Sequence, residues 1–365
     1  MSRILYLCLI SKIIPTPNLI LIKLPMDINQ RLSALSALHE RLKNLPEMDL
    51  EALFDQMQNQ NSWFTPIQSR HALKGITEYL SPDKLQQWAS QYAFRESESF
   101  LTKNIGLIMA GNIPGVGFHD LLCVLVAGHR ACVKLSSTDQ VILPWLADQL
   151  NEIDPTLAKA VTFEERLVGM DAYIATGSDN SARYFDYYFG KYPHIIRKNR
   201  TSVAILDGQE NQKDWDQLSE DIFRYFGLGC RNVSKVFFTD KDQIQAFMKG
   251  MDPASQVINH HKYLNNYEYN KSKYLVNRSP HLDNGHLLLV ESEELVSPIS
   301  VIYYELYADT SQLHATLAAQ EDKIQCIVSR NGWWKGSIPL GTAQSPELDD
   351  YADKVDTLQF LMDLK

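Results

Sequence analysis

The sequence predicts an α/β protein built on parallel sheets, and three observations carry that prediction. From residue 105 onward, short apolar runs alternate with amphipathic stretches at the pitch of strand–helix–strand units. Before that point the apolar residues recur at three- and four-residue intervals, as they do in helices. A polar segment, Gly208-Gln209-Glu210-Asn211-Gln212-Lys213, then separates two such alternating units.

In chain order, residues 1–25 hold two apolar runs, Ile4–Ile10 and Leu19–Ile22, parted by Lys12, Pro15 and Pro17. Both are far shorter than the roughly 20 residues of a spanning helix, and no small-residue cleavage site follows. This segment is expected to be an upstream extension, with Met26 as the natural start. A helix follows over 27–45, where Leu32, Leu35, Leu38, Leu42 and Leu45 share a face and Asp27 or Asn29 supplies the cap. Further helices are predicted over 47–59, 70–80 and 82–93, with Trp63-Phe64-Thr65-Pro66 as a break. Ile105–Ala110 reads as the first strand, Gly111–Gly115 as a turn and His119–Val126 as a helix. Ala131–Leu135 is a second strand and 139–150 a second helix. Ala172–Ala175 is a third strand, ending at Thr176-Gly177-Ser178 before a helix over 179–189. Ser202–Leu206 is read as the fourth strand of the same unit. The second unit has strands near 235–238, 286–290, 299–304 and 324–328. The implied division is 26–208, 209–335 and a tail over 336–365 that returns along the body.

Composition narrows the function. Lys+Arg 35 against Asp+Glu 44 gives a net charge of −9, so no basic surplus exists to neutralise nucleic-acid phosphates. Cys8, Cys123, Cys132, Cys230 and Cys326 are widely spaced and odd in number, which suits a reducing cytoplasm and no disulfide framework. His260-His261 and the pair His281 and His286 do not have the spacing of metal ligands.

Cys230 has a setting that no other cysteine shares. It ends Phe226-Gly227-Leu228-Gly229-Cys230, between an amphipathic helix and the strand around Val236-Phe237-Phe238. Glycines allow a tight turn that brings a thiol out of a wall, and Arg231 and Lys235 are expected to favour the thiolate. By itself this pattern reads equally well as a nucleophile or as a small buried hydrophobe. Asn112 likewise reads as an amide donor or as a turn residue bonding its own backbone. Ser178 reads as a phosphate-binding helix start or a plain cap, and Lys134 and Glu294 as ligand contacts or solvated charges.

The order and spacing of five segments resemble the aldehyde dehydrogenase superfamily. They are Ala110-Gly111-Asn112-Ile113-Pro114, Ala127–Ser137, Thr176-Gly177-Ser178, Gly227–Cys230 and Glu294–Ile299. Within it, Ile338–Gln344 and Asp353–Leu361 are similar to the LuxC-type acyl-CoA reductases, which make fatty aldehyde from an activated acyl group. The resemblance implies a Rossmann-type cofactor domain followed by a second α/β catalytic domain. It implies Cys230 as nucleophile, with Asn112 and the Cys230 N–H as oxyanion donors. Lys134, Ser136 and Ser137 would face the adenosine ribose and its 2′ substituent, Gly177 and Ser178 the phosphates, and Glu294 the nicotinamide ribose. Ser137 stands where an acid commonly repels a 2′-phosphate, which implies NADPH.

One departure sharpens the expectation. Where hydrolytic members carry a water-activating Glu, this chain has Arg197. Without that base an acyl-enzyme should survive water attack. The expected activity is NADPH-dependent reduction of a fatty acyl-CoA or acyl-carrier thioester to aldehyde, through a Cys230 acyl-enzyme. A CoA-acylating dehydrogenase of short aldehydes and a non-catalytic, decayed member of the fold are the alternatives. The resemblance also leaves room for an acyl-transferring protein partner, and it implies a homo-oligomer.

Overall fold

The computed structural model describes residues 26–94, 101–177 and 179–364; the expected extension over 1–25 and Ser178 lie outside them. Four helices lead: α1 (Ile28–Lys43), α2 (Glu47–Gln60), α3 (Pro66–Tyr79) and α4 (Pro82–Ala89). Asp27, not Asn29, caps α1, and it does so reciprocally: its Oδ1 accepts from the Gln30 N–H at 2.8 Å while Gln30 Oε1 accepts from the Asp27 N–H at 2.9 Å. α3 begins earlier than its periodicity predicts. The expected break is its start signal, with Thr65 as N-cap and Pro66 in the first turn, where its missing N–H costs nothing.

The first sheet is assembled from β1 (Asn104–Ile108), α5 (Phe118–Ala127), β2 (Arg130–Lys134), α6 (Ile142–Asn151), α7 (Pro155–Ala158), β3 (Val161–Phe163), β4 (Ala172–Thr176), α8 (Asp179–Phe189) and β5 (His194–Arg197). Its order is β3-β2-β1-β4-β5, all parallel. One large core joins α1–α6 to this sheet, with Leu35, Leu38, Leu122, Val124, Ile105 and Val133 among its buried members. A smaller cluster of Cys132, Met170 and Tyr173 covers the other face under Phe189 and Tyr192.

The second sheet follows with β6 (Thr201–Ile205), α9 (Gln212–Phe223), β7 (Val233–Phe238), α10 (Asp242–Gly250), α11 (His261–Val276), β8 (Leu282–Asp283), β9 (Leu288–Glu291), β10 (Val301–Leu306), α12 (Thr310–Ala318), β11 (Ile324–Ser329), β12 (Ile338–Pro339) and α13 (Thr357–Met362). Its order is β12-β11-β6-β7-β10-β9-β8, parallel except at the β8–β9 edge. The grouping of Ser202–Leu206 with the first unit is corrected here. That strand pairs with β7 and β11, so the chain changes sheets at Lys198–Arg200, ahead of residue 208. A strand buried at all five positions has no polar alternation to mark which sheet will receive it. The first sheet instead takes its edges from β3 and β5, too short to show a period.

The tail crosses back. Leu358 and Leu361 of α13 are fully buried in the first core, and the Leu361 carbonyl lies 2.9 Å from His129 Nε2. Among the described residues no helix is long and apolar enough to cross a membrane.

Candidate active site

A cavity of about 980 Å³ is lined from both sheets, from α3 and from the tail, and it holds Asn112, Arg197, Cys230, Arg231 and Asp353. The backbone that delivers Cys230 is unusual. Tyr225 (φ 54°), Phe226 (φ 57°) and Gly227 (φ 77°) are consecutive left-handed residues, which only the glycine adopts freely. Each bulky residue held there costs about 1–3 kcal/mol, so the surroundings must over-determine the turn. They do. The Tyr225 N–H donates to Gln68 Oε1 at 3.0 Å, and its hydroxyl meets His71 Nδ1 at 2.8 Å. Phe226 packs on Trp63 and His260, with ring centroids 5.3 and 4.4 Å away. On the far side, buried Asn232 donates to the carbonyls of Asp221, Ile222 and Arg224, and its Oδ1 accepts from the Gly229 N–H at 2.8 Å. Asn232 was visible in the sequence only as a neighbour of Cys230; its role depends on contacts with the end of α9.

Cys230 itself is exposed to the cavity. Desolvation nevertheless pushes its thiol above the ordinary value; Arg231 pulls it down and Asp353 pushes it up. Of the two cations expected to favour the thiolate, Arg231 does so but is outweighed by desolvation, and Lys235 does not contribute. Lys235 is buried and paired with Glu305, and it donates to the Ser292 carbonyl, so its charge is spent elsewhere. Arg231 is shared with Asp350 at 2.7 Å.

Asn112 reaches the same loop, its Nδ2 donating to the Leu228 carbonyl at 2.7 Å. One amide hydrogen is thereby used to place the side chain two residues from Cys230. The turn is pinned behind it: the Gly115 N–H donates to Asp139 Oδ2 at 2.8 Å, and burial pushes the Asp139 carboxyl up to about 6. A Cβ at Gly111 would lie 2.5 Å from the Ser136 and Thr138 hydroxyls, so only glycine fits there.

Arg197 is not a solvated loop residue. It is buried, its Nη1 2.9 Å from the Asp120 carboxylate and its Nη2 2.7 Å from Thr357 Oγ1. Arg200 is likewise paired, at 2.9 Å from Asp353. Asp353 has φ 60° and a carboxyl raised by burial. Nothing in its local sequence marks it as a cavity residue.

A second groove of about 470 Å³ lies over the carboxyl ends of β1, β2 and β4, lined by Lys134, Ser136, Ser137, Glu165 and Gly177 among others. Strand order reverses direction between β1 and β4, the place where open parallel sheets leave a crevice. Ala110, Thr176 and Gly177 line both cavities, so the two meet there. Lys134 and Ser137 are exposed, whereas the Ser136 hydroxyl is 2.9 Å from Thr138 Oγ1. Asp139 turns toward Gly115 and away from this groove. Glu165, just beyond β3, was missed because β3 was missed. Glu294 is not brought into either cavity. It is exposed on the β9–β10 loop, while Val296 and Ser297 reach the first one.

Residues 39–251 match the family described as Acyl-CoA reductase (LuxC). No curated protein sequence matches the chain. Among solved structures it is similar to an aldehyde dehydrogenase from Bacillus cereus (a glycine-to-aspartate variant), with TM-score 0.60 and 12% identity over 84% of this chain and 72% of that one. It is also similar to aldehyde dehydrogenase 21 from Physcomitrella patens in complex with succinate, with TM-score 0.58 and 12% identity over 92% and 88%. A Mycobacterium tuberculosis aldehyde dehydrogenase complexed with NAD+ gives TM-score 0.56 and 11% identity over 84% and 74%.

Proposed function

We propose, since the chain belongs to the LuxC acyl-CoA reductase family, that it reduces a fatty acyl thioester to the aldehyde through an acyl-enzyme on Cys230. The observation that carries this reading is the meeting of Asn112 and Cys230 in a cavity that opens, at Ala110, Thr176 and Gly177, onto the groove of Lys134 and Ser137.

The groove suits a nicotinamide dinucleotide. It sits at the crevice of the first sheet, α8 starts directly behind it, and an exposed ammonium and hydroxyl stand ready for a 2′-phosphate. Bound there, NADPH supplies the hydride. The chain's own residues do the rest. The Cys230 thiol gives its proton to solvent, with Arg231 favouring the thiolate, and the thiolate expelled in the next step takes one up from solvent. Sγ then attacks the thioester carbonyl, forming a C–S bond and expelling the CoA or carrier thiolate. Asn112 and the Cys230 N–H hold the oxyanion before that expulsion and again before aldehyde leaves. Water attack is slow because the water-activating position holds Arg197, locked to Asp120.

The acyl donor, a protein that delivers it and a homo-oligomeric assembly belong to the same reading. The test follows NADPH consumption and aldehyde release with acetyl-CoA and longer acyl thioesters. Cys230→Ala should abolish turnover and fail to retain a labelled acyl group, while Asn112→Ala should lower kcat by about 10²–10³-fold. Turnover by Cys230→Ala overturns the mechanism, and preference for acetyl-CoA overturns the fatty substrate.

A further inference from the structure

α3 carries a glycine, Gly75, in its interior. Such a glycine destabilises a helix relative to alanine, because the freest backbone has the most entropy to lose. Packing does not demand it. A Cβ at Gly75 would meet no atom within 4 Å, whereas at Gly106, Gly111 and Gly117 it would collide at 2.8, 2.5 and 2.0 Å. Its backbone does not lie in the left-handed region either. Neither crowding nor conformation explains the residue.

The empty space faces the active-site cavity. His71, Ala72, Glu78 and Tyr79, one turn to either side, line that cavity together with Gly75. Lys74, Gly75 and Glu78 are exposed at its mouth, and Ala72 and Ile76 form the buried apolar side beneath them. Two isoleucines of the cavity wall stand beside its glycines. Ile76 abuts Gly115, 2.9 Å from where its Cβ would be, and Ile113 lies 3.7 Å from a Cβ at Gly229, next to Cys230.

We propose that the missing side chain of Gly75 makes the subsite for the alkyl chain of the acyl group, and that this position sets the longest chain the cavity accepts. The proposal rests on the thioester reading above. The competing occupant of this space is the pantetheine arm, which is the same in every acyl-CoA.

The parent, Gly75→Ala and Gly75→Leu are compared on butyryl-, octanoyl- and palmitoyl-CoA. Gly75→Leu should lose tenfold or more in kcat/KM on palmitoyl-CoA, about what a filled apolar pocket exacts, and leave butyryl-CoA little changed. Gly75→Ala should show a smaller shift in the same direction and a raised Tm, since it removes a helix-breaking residue from an uncrowded site. Calorimetric binding of the same thioesters reads the subsite without turnover. The parent should bind palmitoyl-CoA more tightly than butyryl-CoA, and Gly75→Leu should erase the difference. An equal loss at every chain length, or an unchanged profile in both variants, overturns the proposal. That binding pattern in a parent that reduces none of the thioesters would count against the reduction and not against the subsite.

Discussion

The Cys230 loop and the groove of Lys134 and Ser137, proposed as nucleophile and cofactor sites, meet at Ala110, Thr176 and Gly177, yet they are built on opposite terms. The loop is over-determined: three left-handed residues, four hydrogen bonds to one buried asparagine, and an aromatic clamp from Trp63 and His260. The groove is a set of strand ends with Lys134, Ser137 and Glu165 exposed. A reacting sulfur must be held where its partner will be, because positional error is exponential in rate. A cofactor that exchanges each turnover needs complementary charge more than rigidity. Strain is therefore concentrated in the loop that carries Cys230.

The largest expected effect tests the loop. Asn232→Ala leaves the Gly229 N–H and three carbonyls without their partner in a buried site, which should cost about 2 kcal/mol or more of stability. Turnover should fall far more than cofactor affinity. Denaturant unfolding, kcat and NADPH fluorescence titration separate the three quantities. Equal losses of rate and cofactor affinity would show that loop and groove are one mechanical unit, and the contrast would be broken.

The groove answers to charge. Ser137→Glu should weaken NADPH by roughly one to three kcal/mol and spare NADH, and Lys134→Ala should weaken NADPH more than NADH. Glu165→Gln should tighten NADPH, because it removes a like charge from the groove that would face the 2′-phosphate. Apparent affinities for both cofactors check all three. If the parent prefers NADH, the assignment of this strand end to a 2′-phosphate is wrong.

The smallest effect sharpens the loop's electrostatics. The Cys230 thiol is raised above its ordinary value chiefly by desolvation, so its alkylation should speed up as pH rises. Asp353 raises it further, so Asp353→Asn should shift the alkylation profile to lower pH; Arg231 lowers it, so Arg231→Gln should shift the profile upward. Iodoacetamide rates against pH measure both. Shifts of the opposite sign would mean that the two side chains act by shaping the loop.

Much of the site was legible because its signals are local. Asn112, Cys230, Lys134 and Gly177 each sit at a strand end or turn that apolar periodicity marks, and each of the five segments that suggested the chemistry places residues on one joined crevice. Glu294 itself stays outside both cavities for a local reason as well. Its loop turns at a hydrogen bond from the Glu294 N–H to Ser292 Oγ, and Val296 and Ser297 take the cavity side in its place. The edge strands β3 and β5 were missed because three or four residues cannot display a period.

The sequence by itself determined the succession of helices, strands and turns, and the residue types offered at each turn, since these depend on neighbours a few positions away. Tertiary structure alone decided which sheet received β6, because a strand buried on both faces fits either. It alone paired Arg197 with Asp120, 77 residues away, and with Thr357, 160 residues away, turning an apparent loop cation into a buried tie between the tail and the site. It also set the direction of the Cys230 thiol. The adjacent arginine argues for a thiolate, but desolvation is summed over every segment that closes around the sulfur, and that sum exists only once the chain has folded.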